Sequence, residues 1–89
     1  MKPSDYIRKG WCQGATALDA GGVIVSASDP LACRWCASGS VIAAFGESVK
    51  AGNVVWNLTS YLVQSVPAWN DNKDRTQDEV IDVLEANGL

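Results

Sequence analysis

Three cysteines, Cys12, Cys33 and Cys36, are the side chains of this chain best suited to covalent or redox chemistry. Cys33 and Cys36 have the C-x-x-C spacing that thiol oxidoreductases and metal sites use. A small thiol-dependent enzyme would use Cys36 or Cys12 as its nucleophile. Its polar partner would be Asp71 or Asn70. The chain has no histidine, which excludes a Cys-His pair and a histidine-ligated zinc site within one copy.

The surroundings of these cysteines favour a structural role over a catalytic one. Ser28 or Asp29 followed by Pro30 predicts the start of a helix. Cys33 would then lie inside that helix and not at its N-terminus, where the helix dipole lowers the pKa of a thiol. Three thiols are also one ligand short of the usual zinc site. We therefore expect Cys36 to be a buried apolar residue, Cys33 to be a surface thiol, and no metal or cofactor to be bound.

A second group of polar residues, Trp69-Asn70-Asp71 and Arg75, lies just before a predicted helix. Arg75 or the helix N-terminus could hold a small anionic ligand, because free backbone N–H groups point out of a helix start. The alternative is that Asn70 and Asp71 form an Asx-turn and that Arg75 pairs with Asp71. Trp69 follows a proline, and either packs inside the protein or forms a partly exposed stacking platform.

Two further motifs combine aromatic and polar residues. Trp11-Cys12-Gln13 follows the predicted end of the first helix. Trp35 lies at the centre of the apolar face of the predicted Pro30–Phe45 helix, which favours core packing over a stacking platform. If that helix is the central core element, all the motifs converge on one corner, where a ligand would bind. The candidate binding residues are Trp11, Cys12, Gln13, Trp35, Cys36, Trp69, Asn70, Asp71 and Arg75.

Hydrophobic periodicity and turn signals predict an α+β fold that is mainly α, with three to four helices and one short β-hairpin. The hairpin is expected where the turn residues Asp19 to Gly22 precede the β-branched run Val23–Val25. Caps and breakers predict helices at 4–10, at Pro30–Phe45, at 48–65 with a start as late as Asn53, and from the capping box at Thr76 to Gly88.

Length, charge and cysteine content narrow the class of protein. The 89 residues form one small globular domain, 1–89. With a net charge of −3 and seven scattered Lys and Arg residues, nucleic-acid binding is disfavoured. The longest apolar run, Val41 to Phe45, is too short to cross a membrane. An odd number of thiols and no apolar signal segment predict the cytoplasm. Val41 with Val54 or Trp56 on outer faces would supply a homodimer patch.

Taken together, the motifs resemble those of a family of small bacterial and bacteriophage proteins without an assigned function. The shared segments are W-C-Q-G, R-W-C-A-x-G and N-D…R-T-x-x-E-V, and they span most of the chain, from Trp11 to Leu84. The resemblance implies a bacterial or phage origin, with a host cytoplasm as the location, and no biochemical activity. It singles out Trp11, Cys12, Gln13, Arg34, Trp35, Cys36, Gly39, Trp69, Asn70, Asp71, Arg75, Thr76 and Glu79.

Two functional hypotheses from different classes therefore stand. The first is a non-enzymatic binding or accessory protein that acts on a host protein or on a small anionic ligand. The second is the thiol-dependent enzyme described above. The first is favoured because the chain lacks histidine and is too small to form a deep cleft. The exposure of Cys36 and its position relative to Asp71 discriminate between them.

Overall fold

The computed structural model describes all 89 residues, and it contains five helices and one two-stranded antiparallel sheet. The fold is mainly α within the α+β class, as predicted, with one helix more than the upper number expected. In chain order the elements are α1 (Pro3–Lys9), β1 (Ala17–Leu18), β2 (Arg34–Trp35), α2 (Ala37–Phe45), α3 (Val49–Leu62), α4 (Val66–Asn70) and α5 (Gln77–Ala86).

Local capping chemistry sets the start of the three C-terminal helices. The side chains of Ser48, Ser65 and Thr76 each accept a backbone N–H from the first turn of α3, α4 and α5, respectively. The predicted capping box is confirmed, because the Glu79 carboxylate also accepts the Thr76 N–H at 3.0 Å. With Ser48 as its cap, α3 begins at Val49 and not near Asn53 as the alternative start supposed. Helix α1 begins at Pro3, one residue before its predicted start.

The predicted Pro30–Phe45 helix is wrong over its first seven residues. The segment after Pro30 forms a turn, in which Asp29 accepts from the backbone of Leu31, and then enters β2. Trp35 N–H donates to Gly10 O at 3.0 Å and Trp35 O accepts from Cys12 N–H at 3.1 Å. These long-range bonds satisfy the backbone in an extended conformation, so they outweigh the local helix signal. The helix begins only at Ala37.

The predicted hairpin is right in its turn and wrong in its strands. The Asp19 carboxylate accepts from the backbone of Gly21 and Val23, and Gly22 adopts a φ of +82°. The run that follows contributes only a single bridge, from Ile24 to Leu18. The true partner of β1 is β2, which pairs Ala17 with Trp35 and Leu18 with Arg34.

Helix α2 is central and contacts α1, α3 and α4, while α1 also packs on α5. Trp35 is buried in the core, where its ring meets the Tyr6 ring edge-on at 5.0 Å and its indole N–H donates to Ala27 O. Val41 was expected in an outer patch, but it is fully buried.

None of the five helices has the length and apolar character of a membrane-spanning segment. The core comprises Ile7, Ala17, Ala27, Trp35, Ala37, Val41, Ala51, Leu58, Val66, Trp69, Val80, Ile81 and Leu84.

Candidate functional site

The side chain of Asn70 is the point at which the sequence motifs meet. Its Oδ1 accepts from Trp11 Nε1 at 2.8 Å and from the Ala37 backbone N–H at 3.0 Å. Its Nδ2 donates to Cys12 O at 3.1 Å and to Asp71 Oδ1 at 2.9 Å. Asn70 is fully buried, and all four hydrogen-bonding positions of its amide are used. One side chain therefore ties the first loop, the start of α2 and the end of α4 together.

Gln13 and Asp71 extend this network from the same two loops. Gln13 Nε2 donates to the backbone oxygens of Asn70 and Asn72, at 2.9 and 2.8 Å. Asp71 Oδ1 accepts the backbone N–H of Gly14 at 3.0 Å. The Trp11-Cys12-Gln13-Gly14 segment is therefore held against the end of α4 by side chains of both segments. We call these contacts, with those of Asn70, the Asn70 network.

Trp69 packs inside the protein and does not form the exposed platform that the sequence left open. Ser65 and Pro67 start a short helix, α4, where a loop was expected, and this helix carries Trp69 into the core. Because α4 ends at Asn70, the same turn of helix buries the indole and aims the amide at the start of α2. The loop between α4 and α5 therefore begins at Asp71.

Arg75 is engaged with Trp69 and Glu79 and does not pair with Asp71. Its guanidinium lies over the Trp69 ring, 4.1 Å from the ring centroid, and its Nε donates to Trp69 O at 3.0 Å. Nη1 forms an ion pair with Glu79 at 3.1 Å. The hydrogen bond from the Thr76 backbone lowers the pKa of Glu79 and keeps this carboxyl ionised. Arg75 therefore holds the entry to α5 against α4.

Beside the Asn70 network lies a cavity of about 180 Å³, which we call the Asp71 cavity. Asp71 is its only charged lining residue. The Cys36 thiol and the Ser38 hydroxyl lie 3.3 Å apart at the start of α2 and also line it. Of the nine candidate binding residues, only Cys36 and Asp71 line the cavity, whose lining residues are Gly14, Ala15, Thr16, Cys36, Ser38, Pro67 and Asp71.

Sequence reasoning missed Thr16 and Ser38 as lining residues. Ser38 would have been found if Cys36 had been recognised as the N-cap of α2, since it then falls in the first helical turn. No local signal marks Thr16. It reaches the cavity because α2 packs closely on it at Gly39, where any Cβ would collide with the Thr16 carbonyl oxygen.

Residues 4–87 match the model of DUF6197, a family of unknown function. The chain belongs to this family. The matched range contains every segment that the Asn70 network joins. No curated protein and no solved structure is significantly similar to the chain.

The thiols of this DUF6197 protein differ in their surroundings. All three cysteines are free, and no group of three or more Cys, Asp or Glu side chains is placed to hold a metal ion. Cys36 is buried as expected, but it is the N-cap of α2, and its Sγ accepts the Gly39 N–H at 3.3 Å. Cys33 is partly buried. Burial, with a smaller contribution from Cys36, raises the pKa of the Cys12 thiol to about 11.

The raised pKa of Cys12 predicts that this thiol resists alkylation in the folded protein. Below about pH 11 the reactive thiolate is a minor species, and at pH 8 we expect iodoacetamide to modify Cys33 well before Cys12. Peptide mass spectrometry of timed samples measures the rate at each cysteine. In urea, Cys12 and Cys33 should react at similar rates. Modification of Cys12 in the folded protein as fast as in urea would contradict this prediction.

Proposed function

We propose that this protein is a non-enzymatic binding protein that receives a lysine side chain of a partner protein in the Asp71 cavity. The observation that carries the proposal is the lining of that cavity. Its lining residues carry one carboxylate (Asp71), two hydroxyls (Thr16 and Ser38) and one thiol (Cys36), and no cationic group. An ammonium group carries three N–H donors and a positive charge, which match these acceptors.

The geometry favours this ligand over the small anion that the sequence also left open. Arg75, the residue expected to hold an anion, does not line the cavity and already contacts Trp69 and Glu79. The start of α5 is occupied by its own capping box. Asp71 would repel an anion at short range. The volume of about 180 Å³ is below the roughly 300–1,000 Å³ of small-molecule sites, and suits one side chain.

Rigidity of the lining supports binding. The Asn70 network fixes Asp71 from behind through Asn70 Nδ2 and Gly14 N–H, which leaves its Oδ2 without a bond inside the protein. A carboxylate that is held in place before the ligand arrives loses little side-chain entropy on binding. The Asp71 cavity is thus organised before any partner is present.

The alternative function is the thiol-dependent enzyme, and one observation favours it: Cys36 and Asp71 line the same cavity. Against it, the Cys36 sulfur already accepts a hydrogen bond from the start of α2, and the chain supplies no histidine base. The high pKa of Cys12 removes the second candidate nucleophile at neutral pH. Binding is therefore the better account of the site.

The proposal is tested by titrating ¹⁵N-labelled protein with N-acetyl-lysine amide and following the backbone amides of Gly14 and Ser38 by NMR. We expect saturable shifts with a dissociation constant above about 1 mM, because 1 mM already needs about 4 kcal/mol and one partly exposed ion pair contributes at most about 1 kcal/mol. Asp71→Asn keeps the acceptor for Gly14 but removes the charge, and should weaken binding by about fivefold. Asp74→Asn, which removes an exposed carboxylate outside the cavity, is the matched control and should leave binding unchanged.

Two further probes complete the test. N-acetyl-norleucine amide has the same carbon chain without the ammonium group, and should cause no saturable shift at Gly14 and Ser38. Sodium phosphate tests the anionic ligand. Saturation by phosphate without saturation by the lysine derivative would refute the proposal in favour of the anion. The absence of saturation by both would refute a ligand role for the cavity.

A further inference from the structure

Helix α3 presents an apolar line to solvent. Val49, Trp56 and Val63 are 82%, 71% and 88% exposed, and they follow one another at intervals of seven residues. Residues seven apart lie on nearly the same face of a helix, so of these three residues Val49 and Trp56 lie in line along the outside of α3, and Val63, the C-cap, lies at its end. We call them the α3 stripe. A spacing of seven residues is that of a single heptad position, which lies at the seam when two helices pack against each other.

Two residues on this face lower the stability of α3 in a single copy of the chain. Gly52 lies within α3, where glycine is a poor helix former, and a Cβ at this position would meet nothing within 4 Å. Val63 ends the helix in the left-handed conformation, at φ 57°, which a β-branched residue rarely adopts and where glycine is usual. Neither choice is explained by a contact inside the protein. Both are explained if another helix packs on this face.

We propose that the α3 stripe is the interface with a second copy of this chain, in which two α3 helices pair antiparallel about a two-fold axis at Trp56. The stripe is symmetric about that residue, since Val49 and Val63 each lie seven positions away. An antiparallel pair therefore places Val49 against the partner's Val63, and the two Trp56 rings against each other. Gly52 faces the partner's Ser60, and these small residues let the two helices approach closely.

Charge and shape fit the same arrangement. Lys50 is the only charged residue of α3, and its ammonium lies over the Phe45 ring, 4.7 Å from the centroid. No like charges therefore face each other along the seam. Between α2 and α3 lies an open groove of about 840 Å³, lined by Ile42, Val49, Gly52, Val55 and neighbouring residues. The partner's Val63 would pack at the edge of this groove.

The surface area that this interface is expected to bury is small, which indicates a dimer that dissociates on dilution. α3 has 14 residues and is therefore about 21 Å long and about 10 Å wide, so a pair of such helices buries roughly a few hundred Å² per chain. Stable interfaces bury about 800 Å² per chain, and transient ones fall below about 600 Å². This proposal goes beyond the proposed function, because no residue of the stripe lines the Asp71 cavity.

Sedimentation velocity of the full chain from about 5 µM to 1 mM tests the proposal. We expect the sedimentation coefficient to rise with concentration from the monomer to the dimer value. Trp56→Glu should raise the dissociation constant at least about thirtyfold, since it buries a charge at the two-fold axis. Tyr61→Glu is the matched control: it adds the same charge at an exposed aromatic residue of α3 that lies off the stripe, and should leave the dimer unchanged.

A second variant, Val63→Gly, is expected to stabilise the monomer and to weaken the dimer. Val63→Gly relieves the left-handed conformation, and should raise the melting temperature of the dilute monomer by roughly 5 °C while weakening the dimer. A monomeric wild-type chain at 1 mM would overturn the proposal, even if the face binds a different protein. So would a dimer that survives Trp56→Glu but is lost in Tyr61→Glu, because the interface would then lie elsewhere.

Discussion

Replacing Asn70 with alanine is expected to lower the free energy of unfolding by about 3–5 kcal/mol. The change removes a fully buried amide and leaves the Ala37 N–H, the Trp11 indole N–H and the Cys12 carbonyl without partners. A domain of this size has only about 5–10 kcal/mol in total, so the variant should be close to unfolding at room temperature. Urea denaturation followed by circular dichroism measures the loss.

Asn72→Ala is the control for this prediction. The Asn72 side chain is exposed and accepts one local bond, from the Asp74 N–H at 2.9 Å, so its removal should cost less than about 1 kcal/mol. Its backbone oxygen, which binds Gln13, is kept. Similar losses in Asn70→Ala and Asn72→Ala would show that the Asn70 network does not hold the domain together.

Trp35→Ala should destabilise the domain by about 3–5 kcal/mol. The indole is 6% exposed, and its removal leaves a cavity against Tyr6 and an unpaired Ala27 carbonyl. Thermal melting by circular dichroism should show a broad transition or none. Trp56→Ala removes the same side chain from a position that is 71% exposed, and serves as the control at concentrations low enough for the monomer.

We expect Trp56→Ala to change the monomer by less than about 0.5 kcal/mol, because surface substitutions rarely exceed this value. A folded Trp35→Ala variant with the wild-type melting temperature would mean that the ring at position 35 does not pack in the core. Equal losses in both variants would mean that α3 is less exposed than the structure shows.

The sequence correctly predicted the helix cap and the turn whose hydrogen bonds join residues close together in the chain. Thr76 and Glu79 form their capping box within one turn of helix, and Asp19 bonds to Gly21 and Val23 within the same turn. Each of these contacts joins residues at most four positions apart. The mainly α character follows from such local signals, whereas the sheet pairs β1 with β2, a strand that lies where a helix was predicted.

The remaining features depend on partners that are distant in sequence. Residues 30–36 carry a good helix start at Pro30, yet they are extended because Trp35 pairs with Gly10 and Cys12. The amide of Asn70 bonds to Trp11 and Cys12, 59 and 58 positions away. Locally, Asn70 looks like a turn residue, and nothing beside it in the sequence indicates that it is buried.

The sequence therefore predicted that the motifs meet at one corner, but only Cys36 and Asp71 of the nine candidate residues line the Asp71 cavity. The predicted corner exists, because Trp11, Gln13 and Asp71 all contact the Asn70 network or belong to it. Within that corner most polar groups bind one another, and Arg75 binds Trp69. Which groups remain available to a ligand depends on this internal pairing, which only the folded structure reveals.

The Asn70 network also determines when the chain can fold during synthesis. Its bonds join the first loop to residue 70, and Gln77 Nε2 donates to Ile7 O across 70 positions, while Arg8 pairs with Glu85 across 77. Closing such long loops costs entropy that is recovered only when the distal residues arrive. The ribosome releases the N-terminus first. The domain therefore has no completed core until α5 has left the ribosome, and we expect it to fold as one unit only from that point.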